Sequence, residues 1–295
     1  MFCVETRYNL NKEIDQAVDV IGNSIYKNNL EMTRINSFSI EESNIYTQNY
    51  MRNNSFVTDG SSIDAVFNAG LNGCRDITVI DSCPFVKHYY YFKLAALLGL
   101  NYVQFQRFLC NDKDTINESF LDREKFEKIK PILLSLNYES YNFWCALYDR
   151  IYNSRVLGNL FNEGNGILKI QFANNYLNNP NNYQLLREKV KFIKPKFIND
   201  NILNIEKYRN LQNIDFINIC NIYDHIKNND LELKKFVQVI NSLKKRINDE
   251  GKMILYYNSC KMNSNLVNLV WLDRIISNED VVELKDDYVV YKKTK

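Results

Sequence analysis

The sequence predicts an α/β fold whose sheet is mostly parallel and closes with an antiparallel hairpin. Short runs rich in β-branched and aromatic residues alternate with longer runs whose apolar residues recur at helical spacing. Connections of that length join parallel strands by crossovers. The exception is the pair of runs 281–284 and 288–291, whose link is so short that only antiparallel pairing is possible.

The first two strand–helix units follow one another directly. The β-rich run 55–58 precedes residues 63–69, which have helical spacing and lead to two glycines, as the end of a helix should. Residues 77–80 form the second predicted strand. Pro84 then suits the first turn of a helix over 85–98, because a helix leaves its first N–H groups unpaired anyway.

The strand signal then disappears from 101 to 191, where Phe, Tyr and Leu recur at helical spacing, and this stretch is predicted to be a helical insertion or cap. Three more strands are predicted at 196–198, 214–219 and 252–257, with helices at 231–247 and 266–276. The pattern divides the chain into three parts, namely a helical segment over 1–50, a sheet domain over 51–100 and 192–295, and the insertion at 101–191.

Composition narrows the class of protein. The chain has 295 residues, of which 45% are hydrophobic, and such a chain can fold without disulfides. The net charge of +2 argues against a nucleic-acid partner. Seven cysteines without a CxxC pair indicate reduced thiols, and two distant histidines argue against a metal site. With no signal peptide and no transmembrane run in the sequence, a soluble cytoplasmic protein is expected.

Polar residues follow four of the predicted strands. In an open parallel sheet, ligands bind outside the carboxyl ends of the strands, where the strand order reverses. In chain order, the residues that follow strands are Asp59, Gly60 and Ser61, then Asp81 and Ser82, then Asp200 and Asn201, then Cys220, Asn221, Tyr223, Asp224 and His225. This ordered set predicts a ligand site at one edge of the sheet.

The residue types point to a nucleoside ligand. Gly60 lets the backbone approach a ligand closely, and Asp81 is placed to accept hydrogen bonds from two ribose hydroxyls. Asp200 and Asn201 have side chains that suit an adenine amine. The sequence contains neither a GxGxxG cradle nor the GK[ST] of a P-loop, so a ligand without phosphates fits better than a dinucleotide.

Each of these residues also has a purely structural interpretation. An Asp–Gly pair after a strand is an ordinary turn in many proteins. Asp81 could cap the next helix, and Asp200 with Asn201 could belong to a plain loop. His88, in the middle of a predicted helix, is interpreted as a structural histidine. The prediction of a ligand site therefore depends on the whole set, in which a polar residue follows each of four successive strands.

That order resembles the class I S-adenosylmethionine-dependent transferases. The segments 79–84 and 92–96 (Phe-Lys-Leu-Ala-Ala) resemble a strand–Asp–helix block of one family, the S-adenosylmethionine:diacylglycerol 3-amino-3-carboxypropyl transferases of betaine-lipid synthesis. The helical insertion occupies the same place in that family. Residues 215–224 resemble its "D-x-I-x-x-S-N-I-x-D" block, with Cys220 where Ser is usual. The resemblance covers about residues 30 to 260.

The resemblance implies a Rossmann-like class I methyltransferase fold with S-adenosylmethionine as co-substrate and no metal. Gly60 and Ser61 would hold the methionine part, Asp81 the ribose, and Asp200 with Asn201 the adenine. Asp59, Ser82 and Asn221 are counted with the cofactor site. Tyr223, Asp224 and His225 are the expected catalytic residues beside the acceptor, with His225 as the base.

Three functions remain open at this point. The first is transfer of a 3-amino-3-carboxypropyl group with release of methylthioadenosine, the second is methyl transfer, and the third is binding of S-adenosylmethionine without turnover. The acceptor is a small molecule, a phosphate or hydroxyl group, or a lipid. The sequence shows no amphipathic basic helix for docking on a bilayer, and it leaves the oligomeric state open.

Overall fold

The computed structural model describes residues 2–23, 34–39, 55–60, 63–110, 119–162, 166–220, 230–256, 281–284 and 288–292. Contacts divide the chain into two compact units. The sheet unit comprises Gln48–Asp59, Asn72–Asp81 and Ile193–Lys295. The helical unit comprises Met1–Thr47, Gly60–Leu71 and Ser82–Phe192. The division into three parts inferred from the sequence, with its domain boundaries, stays a prediction.

The sheet unit contains seven strands within the described residues. They are β1 (Ser55–Thr58), β2 (Asp76–Asp81), β3 (Lys196–Asn199), β4 (Ile214–Ile219), β5 (Ile247–Tyr256), β6 (Val281–Leu284) and β7 (Tyr288–Lys292). Their order is β3-β2-β1-β4-β5-β7-β6. β1 to β5 are parallel, and β7 is antiparallel to both β5 and β6. This topology confirms the mostly parallel sheet with its terminal hairpin and is that of the Rossmann-like class I methyltransferase fold.

One face of the sheet carries an apolar core. Alternate residues of a strand point to opposite faces, so Ile217 and Ile219 enter this core while Asn218 points to the other face. A long helix of the sheet unit, which we number α10 (Asp230–Arg246), packs here through residues at helical spacing, namely Phe236, Val239, Ile240 and Leu243. A 3₁₀ helix, Ile202–Lys207, completes the layer.

The start of β5 differs from the prediction. The sequence indicated a strand from 252, but the strand begins at Ile247, which pairs with Ile214. The register then shifts, so that Lys252 pairs with Phe216 and the residues between form a bulge. Glu250 has a φ of 68°, and a Cβ at Gly251 would clash with the side chain of Ile247. A bulge interrupts the two-residue period, which is why the sequence pattern did not show this part of the strand.

The helical unit contains nine α-helices within the described residues. They are α1 (Phe2–Asn23), α2 (Asp64–Leu71), α3 (Val86–Gly99), α4 (Tyr102–Leu109), α5 (Arg123–Leu136), α6 (Tyr138–Arg150), α7 (Ser154–Leu157), α8 (Ile167–Ala173) and α9 (Pro180–Lys189). Short 3₁₀ helices lie at Gly158–Leu160, Asn175–Leu177 and Val190–Phe192. The predicted insertion after the second strand–helix unit is confirmed as helical. The helix predicted at 266–276 lies outside the described residues.

Asparagine and aspartate side chains begin several of these helices. The N-cap side chain accepts a hydrogen bond from a backbone N–H of the first turn in α4, α5, α6, α7 and α9, at Asn101, Asp122, Asn137, Asn153 and Asn179. Aromatic rings then fill the space between α3, α5 and α6. Phe92 stacks on Trp144 with ring centroids 4.0 Å apart, and Phe126 stacks on Tyr148 at 3.8 Å.

Candidate functional site

The carboxyl ends of β1 to β4 lie side by side at one edge of the sheet. The strand order reverses between β1 and β4, because the chain moves outward from β1 to β3 and then returns to the other side of β1. Such a switch point is where open α/β sheets bind their ligands. Four polar positions meet this edge of the sheet unit, and these are Asp59 after β1, Asp81 ending β2, Asp200 after β3 and Cys220 after β4.

Asp59 lies at the switch point and is buried. Its Oδ2 accepts a hydrogen bond from the backbone N–H of Cys220, so the carboxylate links the end of β1 to the end of β4. The hydroxyl of Thr58 donates to the carbonyl of Asp59 at 3.0 Å. Asn218 donates through Nδ2 to the Thr58 hydroxyl oxygen at 3.3 Å. A predicted site residue therefore also joins the ends of β1 and β4 at the switch point.

Asp81 is the last residue of β2, and its side chain is half-buried. Its carbonyl accepts a hydrogen bond from the N–H of Asp200 at 3.1 Å, which joins the ends of β2 and β3. The N-cap of α3 is Phe85. Asp81 is therefore not the cap of the following helix, and that structural interpretation of the residue is excluded.

Asp200 and Asn201 organise their own loop. Asp200 Oδ1 accepts from the Nδ2 of Asn204 at 2.7 Å and from the N–H of Asn201 at 2.8 Å, while its Oδ2 accepts from the Tyr208 hydroxyl at 2.8 Å. The bonds from Asn204 and Tyr208 lower the pKa of Asp200 because they favour the ionised carboxylate. Asn201 caps the 3₁₀ helix by accepting from the N–H of Leu203 at 2.8 Å.

The remaining predicted site residues fall into two groups. Gly60 and Ser82 belong to the helical unit, where Gly60 is buried and Ser82 is exposed. The other five lie outside the described residues, and their roles stay predictions; they are Ser61, Asn221, Tyr223, Asp224 and His225. Among the residues that the structure describes, no three His, Cys, Asp or Glu side chains are grouped as ligands of a metal ion.

A buried polar network in the helical unit was not foreseen from the sequence. Lys93 and Asp64 are both fully buried, and the Lys93 ammonium donates to Asp64 Oδ1 at 2.7 Å. The same ammonium donates to the carbonyl of Ser37 at 2.7 Å. Asp64 also accepts from the Tyr176 hydroxyl and, at 2.6 Å, from the N–H of Ser39. The network thus holds the segment 34–39 against α2 and α3.

Burial dominates the electrostatics of this network. It lowers the pKa of Lys93 to about 8, against the opposing effect of the nearby Asp64 carboxylate. It raises the pKa of the Tyr89 and Tyr176 hydroxyls well above their ordinary value. The ring of Phe38 lies 4.1 Å below the Lys93 ammonium and adds a cation–π contact. A lysine within an apolar helical run was the only signal for this cluster in the sequence.

His88 has the environment of a structural residue. Its Nδ1 lies 2.9 Å from the Ser140 hydroxyl and its Nε2 lies 2.8 Å from Glu13 Oε2, so both ring nitrogens have partners. The imidazole stacks on Phe143 at 4.3 Å. A Ser–His–Glu arrangement resembles a hydrolase triad, but Ser140 is fully buried and no substrate reaches its oxygen. The structural interpretation of His88 is therefore the better one.

Comparisons with protein families and with curated proteins find no match. Among solved structures, the rRNA methyltransferase AviRa from Streptomyces viridochromogenes is similar over 92% of each chain, with 8% identity and a TM-score of 0.41. Phosphoethanolamine N-methyltransferase 2 from Haemonchus contortus, in complex with S-adenosyl-L-methionine, is 14% identical over 39% of this chain and 31% of that chain, with a TM-score of 0.24. The fold assignment rests on the strand order and strand directions of the sheet.

Within the described residues, no helix is both long enough and apolar enough to cross a membrane.

Proposed function

We propose that the protein is an S-adenosylmethionine-dependent transferase. The observation that carries this proposal is the position of Asp59 and Asp81 at adjacent strand ends beside the switch point between β1 and β4. A half-buried carboxylate at the end of β2 suits a pair of ribose hydroxyls, since each oxygen of a carboxylate accepts hydrogen bonds. Gly60 and Ser61, which follow Asp59 in the chain, would hold the methionine part, with Ser82 and Asn221 beside the cofactor.

The sulfonium group is already activated, so the protein has mainly to orient the reacting carbon and exclude water. We favour aminocarboxypropyl transfer, on the resemblance of residues 215–224. The acceptor's lone pair forms a bond to the γ-carbon, the bond from that carbon to sulfur breaks, and its electrons stay on sulfur, which leaves methylthioadenosine. A hydroxyl or amine acceptor also loses a proton, which His225 would accept beside Tyr223 and Asp224.

Methyl transfer is the alternative on the same fold, because a fold does not fix which carbon reacts. The identity of the product separates the two reactions. The protein is incubated with S-adenosylmethionine and a small-molecule extract of its host, and adenosine-containing products are identified by mass spectrometry. Methylthioadenosine above the level without enzyme supports aminocarboxypropyl transfer. S-adenosylhomocysteine supports methyl transfer and contradicts the favoured reaction.

Binding tests the cofactor site without knowledge of the acceptor. We expect Asp81→Ala to weaken S-adenosylmethionine binding at least tenfold in calorimetry, since the ribose would lose a charged acceptor, which corresponds to about 1.4 kcal/mol. Asp76→Ala is the matched control, because Asp76 begins the same strand and its carboxylate pairs with Lys196 in an exposed position. Equal affinities in the two variants would contradict the assignment of Asp81.

The third possibility is a protein that binds S-adenosylmethionine without turnover. Measurements of cofactor binding and of turnover in the wild type and in His225→Ala test it. We expect His225→Ala to bind the cofactor normally and to lower turnover, since the base acts only in the chemical step. Normal binding by the wild type, with neither product formed over a range of hydroxyl, amine and phosphate acceptors, would favour the non-catalytic interpretation. Unchanged turnover in the variant would remove His225 from the mechanism.

A further inference from the structure

Four hydrogen bonds of the sheet unit form a closed ring between β1 and β4 at the switch point. The Nδ2 of Asn218 donates to the Thr58 hydroxyl oxygen and to the sulfur of Cys220, both at 3.3 Å. The Thr58 hydroxyl donates to the carbonyl of Asp59 at 3.0 Å, and the Oδ2 of Asp59 accepts from the N–H of Cys220. This β1–β4 ring therefore joins the two residues at the end of β1 to the end of β4.

An amide side chain is unfavourable at the position of Asn218. The residue pairs with Thr58 on one side and Ile254 on the other, and its side chain is fully buried. Phe216 precedes it on the same face of β4 and packs on Phe56, with ring centroids 5.6 Å apart. Among the residues that the structure describes, no donor reaches the buried Oδ1 of Asn218. A buried carbonyl oxygen without a donor lowers stability, so stability alone does not account for this amide.

The position of the β1–β4 ring suggests what the amide does. Gly60 and Asn221, which are predicted to hold the cofactor, directly follow Asp59 and Cys220 in the chain. The ring fixes the points at which these two segments leave the strands. A ligand that meets chain segments already in place loses less free energy to their ordering, and its affinity is higher for that reason.

We propose that Asn218 is a positioning residue of the S-adenosylmethionine site. Its amide holds the end of β1 against the end of β4 through Thr58 and Cys220, and it acts through this ring because its own side chain is fully buried. The inference rests on the proposed function, since it concerns the site for that cofactor. It predicts that loss of the β1–β4 ring changes the affinity for the cofactor more than it changes the stability of the fold.

Substitutions at Thr58 test the ring by calorimetric titration of the full chain with S-adenosylmethionine. Thr58→Val keeps the shape of the side chain but removes the hydroxyl that accepts from Asn218 and donates to Asp59, and we expect it to weaken binding about fivefold or more. Thr58→Ser loses a buried methyl group but keeps the hydroxyl, so its affinity should stay within about twofold of the wild type. Thr78→Val is the matched control, because Thr78 is also buried but lies in the middle of β2, and it should bind as the wild type does.

Asn218→Val removes the amide together with its unpaired oxygen. We expect an affinity loss similar to that of Thr58→Val, with a Tm within about 4 °C of the wild type, because the lost hydrogen bonds are offset by removal of the buried oxygen. The double variant Asn218→Val/Thr58→Val should bind about as well as the weaker of the two single variants, since both substitutions break the same ring.

The outcomes separate this inference from the proposed function. A wild type that does not bind S-adenosylmethionine would overturn both. If the wild type binds, equal affinities in the wild type, Thr58→Val and Asn218→Val would overturn the role of Asn218 alone. The same conclusion would follow if Thr58→Ser lost as much affinity as Thr58→Val, if the losses added in the double variant, or if the Tm of Asn218→Val fell further than expected, since the amide would then serve the stability of the strand.

Discussion

Lys93 and Asp64 form an ion pair of 2.7 Å in which both side chains are completely buried. Three further groups complete the arrangement, because the ammonium also donates to the Ser37 carbonyl and the carboxylate also accepts from the Tyr176 hydroxyl and the N–H of Ser39. Two charges removed from water persist only when their geometry and remaining hydrogen bonds offset the desolvation. The pair therefore makes the segment 34–39 part of the folded core of the helical unit.

Removal of one charge of this pair should be costly. We expect Lys93→Met to lower the free energy of unfolding by about 3–5 kcal/mol in urea, because it leaves the Asp64 carboxylate buried without its counter-charge. Lys87→Met is the matched control on the same helix, since Lys87 pairs with Glu139 at 2.6 Å in a half-exposed position, and we expect a loss of less than about 1 kcal/mol. The double variant Lys93→Met/Asp64→Asn should recover part of the loss. Similar losses in the two single variants would contradict this account.

The same lysine should give the stability a specific pH dependence. Burial holds the pKa of Lys93 at about 8 in the folded protein, below its ordinary value of 10.5. Between these values the unfolded chain holds the proton that the folded chain has released, so the contribution of this group to stability rises with pH through that window and is constant below it. The measurement is the difference in unfolding free energy between the wild type and Lys93→Met from pH 7.5 to 10. A difference that stays flat or falls would show that the folded pKa is not lowered.

Asp59 should contribute to stability through its bond to the Cys220 N–H. Asp59→Ala removes the carboxylate that this buried N–H donates to, and we expect a loss of about 1–3 kcal/mol in urea unfolding. Asp59→Asn keeps a carbonyl oxygen in the same place and should lose less. If the two variants were equally unstable, the carboxylate oxygen would not be the group that joins β1 to β4.

Local patterns predicted much of the sheet. The sequence predicts the strand at 214–219 and the hairpin after 281 because runs rich in β-branched residues are bounded by turn residues. Contacts between distant residues could not be predicted in this way. Asp64 and Lys93 are separated by 28 residues, and α4 meets α8 through side chains more than 60 residues apart.

The candidate site shows the same distinction. The order of strands and polar residues in the sequence predicts acidic residues at one edge of the sheet, because parallel strands present their carboxyl ends at the same edge. The hydrogen-bond partners of these side chains could not be predicted from the sequence. Asp200 accepts from Tyr208, eight residues along the chain, because a 3₁₀ helix that the sequence pattern does not indicate lies between them. The loop bonds use three acceptor positions of the Asp200 carboxylate, and the predicted contact with adenine would use the remaining one.

Discrimination between bases can separate those two roles. Asp200 Oδ1 accepts two hydrogen bonds and Oδ2 accepts one from Tyr208, which leaves Oδ2 the capacity for one more donor such as the adenine amine. We expect the wild type to bind S-adenosylhomocysteine at least tenfold more tightly than S-inosylhomocysteine, whose base has a carbonyl in place of the amine. Asp200→Ala should reduce this preference as well as the stability, since it removes both the acceptor and the loop contacts. Tyr208→Phe, which removes one loop contact and keeps the carboxylate, should preserve the preference and raise the pKa of Asp200, as followed by NMR titration. A preference that survives in Asp200→Ala would leave Asp200 with the loop alone.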